Sequence, residues 1–177
     1  MVDNTYLGLE ASANHSLALL RAATLDVAVA TEVALIPGIF LSVDPEAEVR
    51  GKLTSTPGEL VSVHFEMPRP ARWAGLHIQM GTLDFTDRKM LGVVCRAQAP
   101  KAVTFRICLR SGQDAGFHDT ILRKTVVAYA EPSIHLDVLD LAREPLIPKG
   151  STWRELIVFF QPETMDASLL DFHVFVA

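Results

Sequence analysis

Apolar and polar residues alternate in short runs along most of the chain. In LVSVHFE (60–66), Val61, Val63 and Phe65 fall on one side and Ser62, His64 and Glu66 on the other. ARWAGLHIQMG (71–81) sets Leu76, Ile78 and Met80 against Trp73, His77 and Gln79. AVTFRICLR (102–110) aligns Val103, Phe105, Ile107 and Leu109 against Thr104, Arg106, Cys108 and Arg110. SIHLDVLD (133–140) aligns Ile134, Leu136 and Val138 against His135, Asp137 and Leu139. LLDFHVFVA (169–177) aligns Leu170, Phe172, Val174 and Val176 against Asp171, His173 and Phe175. A period of two over four to eight residues is the mark of a strand with one buried face. WRELIVFF (153–160) differs, with Leu156, Val158 and Phe160 on one side and Ile157 and Phe159 on the other. It predicts a central strand covered on both sides.

The punctuation between these runs fits a sandwich. STPGE (55–59) predicts a tight turn, with Pro57 fixing φ and Gly58 free to take a positive one. Asp44-Pro45, Met67-Pro68, Pro100, Glu131-Pro132 and Pro148 all fall between apolar runs, where a missing N–H harms no ladder. SGQDAGF (111–117) is expected to link the 103–110 strand to one near 118–128. ASANHSLALLRAA (11–23), rich in Ala and Leu with Leu17, Leu20 and Arg21 at helical spacing, predicts either a short helix or an arm over the sandwich. The expected organisation is an N-terminal arm or helix over 1–24 and a single all-β domain over 25–177, an antiparallel β-sandwich of jelly-roll type.

Composition narrows the function. Apolar residues make up 49% of the 177, enough to build a core without a disulfide or metal. The formal charge of −5 argues against a nucleic-acid groove, and no basic amphipathic segment suggests a membrane surface. The N-terminus lacks the basic and apolar regions of a secretory signal, so a reduced, cytoplasmic setting is expected. Cys95 and Cys108 are too few for a disulfide framework and are expected as free thiols. Cys95 shares a parity with Leu91 and Val93 and is expected to be buried. Cys108 sits in the Arg row and is expected to be the more reactive.

Residues 70–177 resemble the jelly-roll sandwich of carbohydrate-binding modules and the wider galactose-binding-like group. The resemblance is carried by RWAGLHIQMG, the VTFRICLR strand, GFHDT, STWRELIVFFQP and the closing LLDFHVFVA. It implies a non-catalytic protein that binds glycan on one concave sheet or at loop tips, with room for a structural calcium. Asp114, Asp119 and Asp171 are the aspartates considered for that ion; the other reading makes them turn formers. Glycan-binding sheets present aromatic rings to pyranose faces. Here Trp73, Trp153, Tyr6 and Tyr129 are the polar-tipped rings on offer, since most Phe residues fall on apolar rows.

The polar rows suggest a site. His64 with Glu66, His77 with Gln79, Arg106 with Arg110, His135 with Asp137 and Asp171 with His173 could converge on one face if their strands pair. The candidate ligand-binding residues are His77, Gln79, Arg106, Arg110, His135 and Asp137, gripping a saccharide or another small hydroxylated or acidic ligand. The bland reading is a solvated sheet face. A cupin-like metal enzyme is a second alternative, though His64-Phe65-Glu66 is the nearest approach to its His-x-His motif. A structural, homo-oligomerising domain without a ligand is the third. No G-x-S-x-G elbow and no phosphate-binding loop is present.

Overall fold

A computed structural model describes residues 8–113 and 115–177, which form one short helix and twelve strands, numbered in chain order. The first sheet holds β1 (Leu25–Ala28), β4 (Arg50–Ser55), β5 (Val61–Glu66), β12 (Met165–Val176), β7 (Met90–Gln98) and β10 (Ser133–Asp140), in that spatial order. The second holds β2 (Glu32–Ile36), β3 (Ile39–Val43), β6 (Ala74–Gly81), β11 (Arg154–Phe160), β8 (Val103–Gln113) and β9 (Gly116–Ala128). Every pairing is antiparallel. The architecture is the jelly-roll sandwich that the alternation predicts.

The core lies between the sheets. Val61, Val63 and Phe65 meet Leu76, Ile78, Met80, Phe105, Ile107 and Leu109 there, all in the predicted registers. Phe160 packs edge-on against Phe65 and Phe105, with ring centroids 5.6 and 5.3 Å away. Helix α1 (Ala11–Ala22) lays Ala13, Leu17 and Leu20 into the same core. β12 outruns β5, which pairs with it only as far as Leu169, so the backbone of Val174 lacks a strand on that side. Asn14 on α1 fills the gap: its amide donates to the Val174 carbonyl and its oxygen accepts the Val174 N–H. Among the described residues no helix is long and apolar enough to cross a membrane.

Two predicted registers are corrected. On β10 it is Asp137 (2% exposed) and Leu139 that turn inward, while Ile134 (76%), Leu136 and Val138 face solvent. This strand is an edge that packs against β9, and Asp137 satisfies two amides at that corner, those of Lys124 and Val138, both at 2.8 Å. A polar group that closes a backbone gap outweighs the apolar parity of its neighbours. On β12 an irregularity between Leu169 and Asp171 inserts one residue, so Leu169 is in the core and Leu170 is only half-buried. A bulge of this kind resets the face on which each side chain falls.

The other end of the sandwich is held by Arg154, which is fully buried and hydrogen-bonds no carboxylate among the described residues, although the charge of Asp84 favours its cation. Its Nε donates to the Leu83 carbonyl at 3.0 Å, and its two amino groups reach Ser111 Oγ and the carbonyls of Pro148 and Lys149. The guanidinium carbon lies 4.0 Å over the Phe85 ring. Burial pulls its pKa down to about 10, so the cation survives at neutral pH through this cage of acceptors.

Candidate functional site

The outward row of the second sheet can be read across its strands from the registers. Phe40, His77, Ile157 and Cys108 are successive neighbours from β3 to β8. One step along the strands, Gln79, Glu155, Arg110 and Asp119 form a polar row. One step the other way, Ser42, Gly75, Phe159 and Arg106 follow. His77, Gln79, Arg106 and Arg110 therefore share one face, as expected from the sequence.

His135 and Asp137 do not join them. They lie on β10 in the first sheet, where Asp137 is tied to backbone amides and His135 is half-buried between β10 and its neighbours. Burial lowers the His135 pKa. The polar rows at His64, Glu66, Asp171 and His173 also belong to the first sheet, so the full convergence considered from sequence does not occur. There His64 Nδ1 is 2.6 Å from Asp166 Oδ1, a partner on β12 that raises the His64 pKa, with Glu66 adding to the effect.

The outward face of the second sheet is partly roofed rather than plainly solvated. Ile157 and Cys108 are fully buried although they point away from the main core, and His77 (5% exposed) and Glu155 (7%) are buried with them. The cover comes from rings. Phe40 stacks on His77 with centroids 4.5 Å apart, and Arg110 lies 3.9 Å from the Phe117 ring centroid. Gly75 is the gap in this roof: an added Cβ would stand 2.8 Å from Ile157 and 3.4 Å from His77 Nε2, so glycine keeps the floor open there. Two depressions result. One, of about 340 Å³, is lined by Ser42, Trp73, His77, Arg110, Phe117 and Phe159. The other, of about 390 Å³, contains Trp73, Thr104, Arg106, Ile121, Phe159 and Gln161. They share Trp73 and Phe159 and so form one cleft across the strands.

Charge within the cleft is arranged in pairs. Arg110 donates two bonds to Asp119, at 2.7 and 2.8 Å, and stands 3.6 Å from Glu155. The Asp119 bonds raise the Arg110 pKa. Arg72 forks onto the buried Asp44, at 2.9 and 2.7 Å, and lies 5.1 Å from the Trp73 ring centroid. That pairing drives the Asp44 carboxyl well below the ordinary carboxylate range. His77 is the exception. Glu155 Oε1 lies 3.1 Å from its Nδ1 but off the line of a hydrogen bond, and both ring nitrogens are buried without a hydrogen-bond partner. A buried polar atom without a partner is costly, and the His77 ring is one of the groups that line the smaller depression.

Sequence reasoning missed part of this lining. Most Phe residues lie in the core as expected, among them Phe65, Phe85, Phe105, Phe160 and Phe172, but Phe40, Phe117 and Phe159 stand on the outward face and add rings there. Glu155 was also missed; its signal is a carboxylate inside an otherwise apolar central strand, on the parity opposite Leu156 and Val158. Cys108 is corrected as well. Burial raises its pKa to about 12, as it does that of Cys95, and Arg110 lowers it too little to compensate. Of the aspartates considered for calcium, Asp119 is committed to Arg110 and Asp171 to Arg21, while Asp114 lies outside the described residues. Among the described residues no three His, Cys, Asp or Glu side chains gather as a metal would need. Tyr6 lies outside the described residues, and Tyr129 is exposed just beyond β9.

No protein-family model matches the chain, and no curated protein is detectably similar in sequence. Solved structures are similar in fold. A CBM4 module superposes with a TM-score of 0.59 at 12% identity, covering 81% of this chain and 90% of that one. The fold is a jelly-roll sandwich similar to that of carbohydrate-binding modules. A family 11 carbohydrate-binding module of a Clostridium thermocellum cellulosomal cellulase gives a TM-score of 0.53 at 10% identity, covering 88% and 96%. The xyloglucanase domain of NopAA, a type three effector from Sinorhizobium fredii solved with cellobiose, gives 0.55 at 5% identity, covering 86% and 99%.

Proposed function

We propose that this chain is a non-catalytic binding protein that takes a saccharide into the cleft on the outward face of its second sheet. The observation that carries this is the lining of the smaller depression, where Trp73, Phe117 and Phe159 stand beside His77, Arg110 and Ser42. Pyranoses present apolar C–H faces and polar hydroxyl edges, so they suit rings beside polar side chains. Arg110, Glu155 and Ser42 add a donor, an acceptor and a hydroxyl of the same kind. The similar folds include modules whose names state carbohydrate binding, which supports the same reading.

The test is a glycan array with a thermal-shift screen on the wild type, His77→Ala and Trp73→Ala. A saccharide that raises the wild-type melting midpoint and loses at least about tenfold in affinity in both variants supports the cleft. A ligand bound equally by all three would place binding elsewhere.

A hydrolytic alternative has one observation in its favour. Glu155 and Asp119 are two carboxylates on the cleft face, and one similar structure is named as a xyloglucanase domain. Asp119, however, gives both oxygens to Arg110 and is poorly placed to activate a water. Absence of new reducing ends after prolonged incubation with xyloglucan is the expected outcome.

A further inference from the structure

Three arginines stand around the cleft, and they are not equivalent. Arg72 is matched by Asp44 and Glu46, and Arg110 by Asp119 and Glu155. Arg106 lies beside Phe159 in the register of β8 and β11 and lines the larger depression, yet no carboxylate among the described residues pairs with it. Its side chain is exposed, at the edge of a depression of mixed character. Trp73, Phe159 and Ile121 are the apolar walls, and Thr104 and Gln161 are polar neighbours. Gln161 Oε1 accepts the Thr104 N–H, leaving the amide nitrogen free to donate.

We infer that this end of the cleft recognises a saccharide bearing a carboxylate, a uronic acid unit, with Arg106 as the residue that takes the acid group. The inference rests on the cleft being the saccharide site. A guanidinium fork matches a carboxylate with two parallel bonds, which gives the pairing a geometry that a lone ammonium lacks. The chain as a whole carries −5, so it repels densely charged polyanions. Arg72 lines the same depression but is matched by Asp44 and Glu46, so selection for an acid falls to Arg106, which fits an occasional uronate on a sugar chain and not a polysulfate.

The experiment is isothermal titration with glucuronic-acid-substituted xylo-oligosaccharides and with oligogalacturonates, each beside its carboxyl-reduced neutral form. At least one acidic probe should bind about tenfold more tightly than its own reduced form, and this ratio should shrink as salt is added. In Arg106→Gln the ratio should fall towards one, and in Arg106→Lys part of it should return. Thermal melting of each variant confirms that the fold is retained. A wild-type ratio of one, an undiminished ratio in Arg106→Gln, or tighter binding of dextran sulfate would overturn the inference. The two levels separate cleanly: neutral probes bound with a ratio of one remove the uronate specificity alone. Failure of every probe here and of every glycan on the array removes the saccharide cleft with it.

Discussion

Several residues that look alike in the sequence have different work, and burial with partners distinguishes them. His77 and Asp137 were equal candidates for ligand contact, yet only His77 lines a depression, while Asp137 is tied to two backbone amides. Asp137→Ala should destabilise the fold by about 1–3 kcal/mol, because it strands the Lys124 and Val138 amides at a buried corner. Chemical denaturation checks this, and unchanged stability would argue against the β10 register. Asp44 holds the Arg72 guanidinium beside Trp73, and its folded pKa is depressed below the unfolded value near 3.9. Its stabilising contribution is therefore complete above that value and fades as pH falls below it. Asp44→Asn should melt lower than wild type at pH 6, with the gap narrowing below about pH 3.9. Native protein should also react slowly with thiol reagents at both cysteines, with full labelling only after unfolding. Rapid labelling of Cys108 would mean that the roof over Ile157 opens readily.

At the level of elements, alternation was a sound guide wherever a strand had one core face and a regular ladder. Val61, Val63 and Phe65 on β5 and Leu76, Ile78 and Met80 on β6 lie as their parity requires. It failed where a backbone demand intervened, at the inserted residue on β12 and at the β10 corner. Nothing in SIHLDVLD reveals that Asp137 closes amides on a neighbouring strand, since that depends on how two sheet edges meet. β11 shows both sides of the matter. Its two covered faces were legible from Leu156, Val158 and Phe160 against Ile157 and Phe159, but the second cover proves to be the cleft wall and not more core. Phe160→Ala should cost about 3–5 kcal/mol, since it removes the ring wedged between Phe65 and Phe105. Urea titration would read the loss directly. Leu136→Thr, by contrast, should change stability by less than about 0.5 kcal/mol, because that side chain faces solvent.

For the whole molecule, a two-sheet sandwich separates stability from recognition. The inner faces and α1 supply the core, Arg154 ties loops at one end, and the outer face of the second sheet is left to carry rings and charges. His77, Gln79, Arg106 and Arg110 fall on one face because they share a strand parity on paired strands, and all but Gln79 line the cleft. Phe40, Phe117 and Glu155 were not legible in the sequence, since only the spatial order of strands brings them beside His77 and Arg110. The most direct measurement uses the two tryptophans of the chain. In Trp153→Phe the remaining Trp73 reports from the wall shared by both halves of the cleft. Titration with the glycan giving the largest thermal shift should produce a saturable change in Trp73 fluorescence, matching the calorimetric affinity. Calorimetric binding that leaves Trp73 fluorescence unchanged would contradict a saccharide site in this cleft.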